Sequence, residues 1–291
     1  MASTLYGGDS VMFALDTAAA DLGGYVERIE AFDLAVPEES IHFGVPSGAV
    51  TVLISIDEPF DIGWAGTDAS NTFPVLVAGL HTTPSLVRTH GIQRGIQIAL
   101  TPLGCRAVFG MPCGELAREL VTADMLGDGE FAALCSRIAE TPRWESRLTV
   151  LRGFLRDRVA KCVPRSSLGD GLGIAGSAAA EAWWLLHRSR GQARVSEIAS
   201  SVGVSRRTLL AGFRGEFGLG PKEEAQILRF CHARDLVESG TALIEAAIAA
   251  GYADQAHLSR EWAKIAGLPP SLSVGRPFPI LQDLPQGGRA Y

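Results

Sequence analysis

The sequence has no uninterrupted apolar stretch long enough to cross a bilayer, although 47% of its 291 residues are hydrophobic. The first nine residues carry neither a basic cluster nor an apolar run, so we expect no signal peptide. These absences predict a cytoplasmic globular protein without membrane contact. Its length is sufficient for two or three domains and a hydrophobic core.

Motifs that hold metals, cofactors or catalytic nucleophiles are also missing from the sequence. Its five cysteines are odd in number and lack metal-ligand spacing, so we expect reduced thiols; they stand at Cys105, Cys113, Cys135, Cys162 and Cys231. His42, His81 and His90 belong to no His-x-His or His-Glu-x-x-His motif. Neither a glycine-rich phosphate loop nor Gly-x-Ser-x-Gly occurs. The sequence therefore predicts no metal, no cofactor and no enzymatic activity.

Net charge is unevenly distributed along the chain. The net charge is −6. Residues 1–176 carry 13 basic and 21 acidic side chains, whereas residues 177–275 carry 11 basic and 10 acidic ones. Because neutralisation of phosphates supplies much of the affinity for DNA, a nearly neutral C-terminal region predicts weak non-specific binding with marked salt sensitivity.

What the sequence does contain is a motif that occurs twice near its C-terminal end. The segment 195–203 ends at a glycine, and so does the segment 243–251, which lies 48 residues later. The residues that follow match at an offset of 49: Ser205 with Asp254, Leu209 with Leu258, Phe213 with Trp262, Gly218 with Gly267 and Pro221 with Pro270. One additional residue in the second turn accounts for the change of offset.

Each copy has the order of a helix-turn-helix: a short helix, a turn with glycine, an N-cap residue and a second helix. Apolar residues four positions apart, Leu209 with Phe213 and Leu258 with Trp262, are expected to face the core. Residues 222–239 are long enough for one helix that joins the copies, and Gly240 is expected to end it. Arginine can bind guanine and glutamine can bind adenine, so outward residues near the start of each second helix are candidate base readers. The predicted DNA-facing residues are Arg206, Arg207, Leu210, Gln255, His257, Arg260 and Lys264.

Residues 178–274 resemble the DNA-binding domain of the AraC/XylS family of transcription regulators. The first copy matches the family at Ile198-Ala199, Gly203-Val204-Ser205, Arg207, Leu209, Phe213 and Gly218-Leu-Gly-Pro221. The second copy matches at Ala250-Gly-Tyr252, Asp254-Gln-Ala-His-Leu-Ser-Arg260, Trp262, Gly267 and Pro270. The preceding part of the chain is more weakly similar to the sensor half of some bacterial members.

The resemblance implies a bacterial regulator that places two recognition helices in adjacent major-groove segments of double-stranded DNA. It also implies a small-molecule effector, a homodimer formed through the N-terminal half and RNA polymerase as partners. The sequence departs from the family at Ala211, where a basic residue is usual. Gly212 and Gly215 are each expected to weaken the first recognition helix by about 1 kcal/mol relative to alanine.

The N-terminal half has β patterns followed by helical patterns. Residues 50–56, 73–78 and 95–100 are rich in β-branched or apolar residues and lie between glycines and prolines, which favours a barrel or sandwich of short strands. In residues 111–161, apolar residues instead recur at steps of three and four positions, with a break at Pro142. This spacing predicts two amphipathic helices. These helices are expected either to form a dimer surface or to cover the barrel.

The predicted fold class is therefore α+β, with a β-rich barrel or sandwich, a helical connector and an all-α domain of seven helices. The predicted divisions are an N-terminal arm at 1–24, a sensor domain at 25–110, the connector at 111–162, a glycine-rich linker at 163–177, the double helix-turn-helix domain at 178–275 and a tail at 276–291. A ligand pocket in the barrel mouth is predicted to involve Phe43, Trp64, His81, Arg88 and Gln97.

Three functions remain open from the residues alone. The first is a transcription regulator that a small ligand or dimerisation controls through the N-terminal half. The second is an enzyme domain fused to a DNA-targeting module, which a metal near His42, His81 or His90 would favour. The third is an interaction protein, which acidic surfaces on both recognition helices would favour. We expect the first.

Overall fold

A computed structural model describes residues 11–15, 22–67, 69–162 and 178–273, with the backbone alone for 11–15 and 36–40. The predicted linker and tail lie outside the described residues, as do residues 1–10 and 16–21 of the predicted arm. Within these ranges the chain has an N-terminal antiparallel sheet that curls into a nearly closed barrel and a C-terminal helical region. The α+β fold class predicted from the sequence is thereby confirmed.

Eight antiparallel strands build the sheet. They are β1 (Val11–Leu15), β2 (Val26–Gly44), β3 (Val50–Ser55), β4 (Phe60–Trp64), β5 (Ser70–Phe73), β6 (Val75–Ala78), β7 (Ser85–Leu100) and β8 (Leu120–Thr122). The strand order is β1-β2-β7-β3-β6-β8, and β4 pairs with both β5 and β7. Strand β1 lies within the predicted arm, which in this part is a sheet strand and not a loose segment.

The two longest strands were not indicated at this length: β7 extends well beyond the predicted strand at 95–100, and β2 corresponds to none of the three predicted strands. Strand β2 has 19 residues and β7 has 16, and they pair along nearly their whole length. Their register shifts between Ala35 and Glu38 and again between Glu38 and Ile41. Such bulges bend a strand without ending it. Polar residues and glycines that indicated strand ends therefore lie inside continuous, bent strands.

Side chains on the inner face of the barrel form a core of their own. It consists of Phe32, Leu34, Leu53, Phe60, Ile62, Phe73, Leu76, Ala78 and Val87. Gly95 lies opposite Phe32 in the register, and a methyl group at Gly95 would come within 2.9 Å of the rings of Phe32 and Phe60. The aromatic rings fill the space that a side chain at position 95 would need.

The middle of the chain is helical and covers the other face of the sheet. Helix α1 (Pro102–Phe109) follows β7, a 3-10 turn spans Cys113–Leu116, and α2 (Gly129–Glu140) and α3 (Trp144–Cys162) form a pair. The prediction of two helices with a break at Pro142 is confirmed. Helix α1 lies in the segment predicted to be β-rich, and β8 lies in the predicted connector, where it pairs with β6.

Seven helices form residues 178–273. They are α4 (Ala178–Arg188), α5 (Val195–Ser201), α6 (Arg206–Phe217), α7 (Pro221–Glu238), α8 (Leu243–Ala249), α9 (Gln255–Ala266) and α10 (Pro270–Ser273). A single hydrophobic cluster runs from the outer face of the sheet, through α1–α3, to α4–α7. In the part of the chain that the structure describes, no helix combines the length and apolarity needed to cross a membrane.

Candidate nucleic-acid interface

The two copies of the sequence motif form the same backbone turns. In the first, Gly203 has φ +70°, and the amide of Val204 donates to the carbonyl oxygen of Ala199 at 3.0 Å. In the second, Gly251 has φ +77°, and the amide of Tyr252 donates to Ala247 at 2.9 Å. Positive φ is where glycine is favoured over residues with a Cβ atom. The turns match residue for residue at the offset of 48.

The additional residue of the second copy lies directly after its turn. Ser205 follows Val204 in the first copy, and its hydroxyl oxygen accepts from the amide of Thr208 at 3.1 Å. Ala253 separates Tyr252 from Asp254, whose carboxylate accepts from the amide of His257 at 2.6 Å. Both recognition helices, α6 and α9, therefore begin at a side-chain N-cap. The predicted single-residue difference is confirmed.

The predicted buried pairs fix the rotation of each recognition helix. Leu209, Phe213, Leu258 and Trp262 are all buried to within 1% of full burial. Trp183 of α4 stacks on Phe213 with ring centroids 5.9 Å apart, and Phe230 of α7 meets Trp262 edge to face at 5.2 Å. Because one face of each helix is held in the core, its opposite face is presented to solvent.

Helix α7 joins the two units as one uninterrupted helix of 18 residues. Ala225 and Ile227 in its first half belong to the cluster that includes Leu209 and Phe213, whereas Phe230 and Ala233 belong to the cluster around Trp262. Gly240 follows its end with φ +95°. The predicted joining helix is thus confirmed, and it contributes side chains to both cores.

Six of the seven predicted DNA-facing residues are exposed, and they lie at the N-terminal ends or along the outer faces of α6 and α9. These residues are Arg206, Arg207, Leu210, Gln255, Arg260 and Lys264. None of the four cationic side chains among them forms an ion pair within the described residues. In the described part of the chain, each recognition helix therefore carries exposed cationic side chains that belong to no ion pair.

His257 differs from the other members of the set. Its ring is half-buried and lies edge to face against Tyr252, with centroids 5.3 Å apart. Its Nδ1 atom lies 3.5 Å from the amide nitrogen of Ala253, from which it can accept a hydrogen bond. The side chain therefore contributes to the turn that precedes α9.

The five predicted ligand-binding residues do not form one group. Trp64 and His81 are neighbours, with ring centroids 5.1 Å apart, and burial lowers the pKa of His81. Arg88 pairs instead with Asp61 at 3.5 Å. Gln97 lies on the inner face of the barrel opposite Leu53, at the other end of β7.

Phe43 lies at a junction between the two halves of the chain that the sequence reasoning missed. A methyl group at Gly267, after α9, would come within 2.6 Å of the Phe43 ring. Val45, two residues further on, belongs to the core around Trp262. The segment Phe43–Gly48 thus reaches from the end of β2 into the second helix-turn-helix unit.

Gly48 ends this segment against a hydrogen-bonded pair of the helical region, His187 and the buried Glu224. A methyl group there would lie 2.9 Å from the His187 ring and 3.0 Å from Glu224 Oε1. His187 Nε2 lies 3.1 Å from that oxygen. Glu224 is fully buried, and this burial raises the pKa of its carboxyl group, an effect that the His187 hydrogen bond opposes.

A second junction involves the first recognition helix. Arg106 of α1 donates to Glu216 of α6 at 2.8 Å, and Arg118 donates to Glu223 of α7 at 2.7 Å. A methyl group at Gly114 would come within 2.8 Å of the carbonyl oxygen of Gly215. No local sequence pattern indicates these contacts, because each joins residues about 100 positions apart.

A metal site is not assembled from the residues that the structure describes. Among them, no group of three or more histidine, cysteine, aspartate and glutamate side chains is close enough to hold an ion. Burial raises the pKa of the Cys105 thiol to about 12, and that of Cys135 to about 12 as well, so both remain protonated at neutral pH.

Comparison with known proteins gives matches to both parts of the chain. A family model described as a helix-turn-helix domain matches residues 198–272. AraC-like transcription regulators from Streptomyces lividans and Streptomyces antibioticus are 33% and 34% identical to this chain. Each alignment covers 109 residues, which are 37% of the chain. The matched segment spans 36% of the length of these relatives.

The overall fold is similar to that of a solved structure. The crystal structure of ToxT from Vibrio cholerae O395 aligns with a TM-score of 0.50 and 12% identity, and covers 84% of this chain and 96% of that one. At this identity the likeness concerns the fold alone. Residues 178–273 contain two helix-turn-helix units with capped second helices, and the family model of a helix-turn-helix domain matches within them.

Proposed function

We propose that this protein is a sequence-specific DNA-binding transcription regulator whose N-terminal half controls its DNA-binding half. The observation that carries the proposal is the pair of recognition helices, α6 and α9, each with cationic side chains on its exposed face that form no ion pair with any residue the structure describes. Residues at the N-terminal end of such a helix usually reach base edges in the major groove. Arg206, Arg207 and Leu210 are proposed to serve the first unit, and Gln255, Arg260 and Lys264 the second.

The dimensions of the joining helix support contact with two adjacent groove segments. An α-helix of 18 residues is about 27 Å long. Successive major-groove segments on one side of B-DNA recur after about 34 Å. Ala225 and Ile227 of α7 pack in the core of the first unit, and Phe230 and Ala233 pack in the core of the second. One molecule is therefore proposed to span two groove segments on one face of the duplex.

The second unit is proposed to supply more of the sequence specificity. In α9, Arg260 stands where a guanidinium can bind guanine, and Gln255 can bind adenine through its amide. In α6, the residue equivalent to Arg260 is Ala211, which can form no such hydrogen bond. Arg206 and Arg207 are then proposed to act mainly through phosphate contacts, which position the protein without reading sequence.

The N-terminal half is proposed to regulate because it contacts both units. The junction at Phe43–Gly48 reaches the second unit, and the junction from Arg106 to Glu216 reaches the first recognition helix. A small molecule or a second subunit that favoured one arrangement of the barrel would act on both helix-turn-helix units through these contacts. Trp64 and His81 are the predicted ligand residues that adjoin each other and remain the proposed part of that site.

Substitution of the α9 side chains tests the proposed function. Sequences bound by the purified full-length protein are first selected from a random pool of duplex DNA. We expect Arg260→Ala to weaken binding to the selected sequence by about 1–3 kcal/mol and to relax the preference at one base pair. Gln255→Ala should act similarly at a neighbouring position. Fluorescence anisotropy at fixed salt measures both affinities.

Arg188→Ala is the matched control, since Arg188 is exposed on α4, where its guanidinium lies over the ring of Trp184. It removes the same charge without altering a recognition helix, so its affinity should stay within a factor of two or so of wild type. Unchanged affinity for both Arg260→Ala and Gln255→Ala, in folded proteins, would refute the assignment of α9 as the reading helix.

A further inference from the structure

The turn between α4 and α5 has an unusual backbone that brings it against α7. Arg190 has φ +50° and Gly191 has φ +74°, so two successive residues are left-handed. A methyl group at Gly191 would come within 2.2 Å of the carbonyl oxygen of Ala225, so only glycine allows this approach. The turn Arg190–Gln192 thus starts in the first unit and lies on the helix that both units share.

From this position Gln192 reaches the second unit directly. Its side-chain Nε2 donates to the carbonyl oxygen of Ala249 at 3.0 Å, at the C-terminal end of α8. Its Cγ atom would lie 3.2 Å from a methyl group at Gly251, so the side chain packs on the turn before α9. Gln192 is therefore a direct bridge between the loop that precedes α5 and the turn that orients the second recognition helix.

Arg229 of α7 completes the bridge from the other side. Its Nη1 donates to the carbonyl oxygen of Gly191 at 3.1 Å. The same guanidinium lies over the ring of Tyr252, 5.7 Å from its centroid. Tyr252 belongs to the turn that Gln192 contacts, since its amide closes the end of α8 on Ala247. One arginine therefore binds the first turn through a hydrogen bond and the second through an aromatic ring.

Arg190 attaches the start of the turn to α7 as well. Its Nη1 lies 2.6 Å from Nε2 of His232. Burial, and then the charge of Arg190, lower the pKa of His232, so its neutral ring accepts this hydrogen bond. The turn is thus held at three successive residues: Arg190 to His232, Gly191 to Arg229 and Gln192 to Ala249.

We propose that the turn Arg190–Gln192 and Arg229 form a clamp that fixes the position of α6 relative to α9 and thereby sets the base-pair spacing that the protein reads. The proposal rests on the proposed DNA-binding function. Successive base pairs are rotated by about 35° and displaced by about 3.4 Å, since 10–10.5 pairs make a turn of 34–36 Å. Two rigidly held helices therefore match one spacing, whereas loosely joined helices accept several.

Two measurements on the full-length protein test the clamp, one with DNA and one without. In the first, wild type, Gln192→Ala and Arg229→Ala each select sequences from the same random duplex pool. Wild type should yield one spacing between the two recognised elements, and each variant at least two, with base preferences inside each element unchanged. In the second, nitroxide labels are attached through a ketone-bearing amino acid at the exposed positions Ala211 and Ala256. Pulsed electron paramagnetic resonance should give a distribution of label-to-label distances that is at least twice as wide in Gln192→Ala and Arg229→Ala as in wild type.

Arg188→Ala serves as the control in both measurements, because it removes an exposed arginine whose guanidinium lies over the ring of Trp184 on the same helix, α4. Gln192 is exposed, so Gln192→Ala is expected to fold even if Arg229→Ala does not, and thermal melting checks both. A single spacing and an unchanged distance distribution in Gln192→Ala and Arg229→Ala would overturn the clamp. If wild type selects no sequence at all, the proposed function fails, while the label distances still decide whether the clamp exists.

Discussion

At the scale of single residues, two tryptophans of the helical region have opposite environments. Trp262 is 1% exposed, packs edge to face on Phe230 and donates from its indole nitrogen to Ser273 Oγ at 2.7 Å. We expect Trp262→Ala to lower the free energy of unfolding by about 3–5 kcal/mol, through lost burial and the cavity that remains. Urea denaturation monitored by circular dichroism measures this change.

Trp184 is the matched control, because it is 62% exposed and contacts Arg188 at the surface of α4. Trp184→Ala should change the free energy of unfolding by less than about 1 kcal/mol, as is usual for surface positions. Equal effects of the two substitutions would reject the rotation of α9 on which the DNA-facing residues depend.

Glu224 leads to a prediction about pH. Its folded-state pKa is raised above the ordinary 4.5, chiefly by burial, with Glu27 nearby acting in the same direction and His187 opposing it. A carboxyl group with a raised folded pKa stabilises the fold while protonated, and this contribution is lost as the pH rises from 4.5 through the raised value. Wild type should therefore lose stability relative to Glu224→Gln over that range.

Urea unfolding at a series of pH values from 4 upward measures the difference between the two proteins. The titratable groups near Glu224 (Glu27, His187 and Cys231) are present in both, so the difference reports position 224. Glu245→Gln provides the comparison, since it makes the same substitution at an exposed position of α8. A difference between wild type and Glu224→Gln that does not change with pH would contradict the assigned cause of the shift.

At the scale of helices and strands, two glycines at the C-terminal end of α6 respond differently to an added methyl group. Gly215 lies within the helix, and a Cβ atom there would meet nothing within 4 Å. Gly215→Ala should therefore stabilise the protein by about 0.5–1 kcal/mol through its higher helix propensity. Gly218 ends the helix with φ +74°, and a Cβ atom there would come within 2.1 Å of Ala117.

Gly218→Ala should accordingly destabilise the protein by more than Gly215→Ala stabilises it. Thermal unfolding of wild type and both variants measures the expected rise in melting temperature for Gly215→Ala and the expected fall for Gly218→Ala. If Gly215→Ala lowered the melting temperature, α6 would not have the open outer face on which Arg206 and Arg207 are proposed to meet DNA.

The parts that the sequence predicts best are those that depend on nearby residues. Caps, glycine turns and apolar pairs four apart lie within about 20 positions of each other in each copy, so Ser205, Asp254 and Trp262 could be assigned correctly. Strands β2 and β7 were predicted poorly, because bulges let polar residues lie inside a continuous strand. Phe43 was assigned to a ligand pocket because nothing near it in the sequence indicates its contact with Gly267.

At the scale of the whole molecule, the halves are joined by ion pairs of unequal burial. Arg106 and Glu216 have side chains 27% and 14% exposed, whereas those of Arg118 and Glu223 are 53% and 33% exposed. Exposed pairs contribute little, since water and salt screen them. We expect a double-mutant cycle to alanine to give a coupling of about 1 kcal/mol for the first pair and less than about 0.5 kcal/mol for the second.

Chemical denaturation of the single and double variants yields these couplings, and hydrogen exchange locates their effect. Loss of the first pair should speed exchange in the last turn of α6 several-fold, with little change in β2 or β7. A larger coupling free energy for Arg118 and Glu223 than for Arg106 and Glu216 would mean that the first recognition helix is not held by the barrel half through Arg106.

The segment Phe43–Gly48 also determines how this chain can be recombined with others. Val45 comes from the barrel half but completes the core around Trp262. The boundary of folding units therefore does not coincide with the boundary in the sequence between the two halves. In a chimera that received a different barrel half, the replacement would have to supply an apolar side chain at the place of Val45 and a glycine at the place of Gly48. A chimera whose junction was chosen from the linker position alone would leave a cavity in the core beside the second recognition helix.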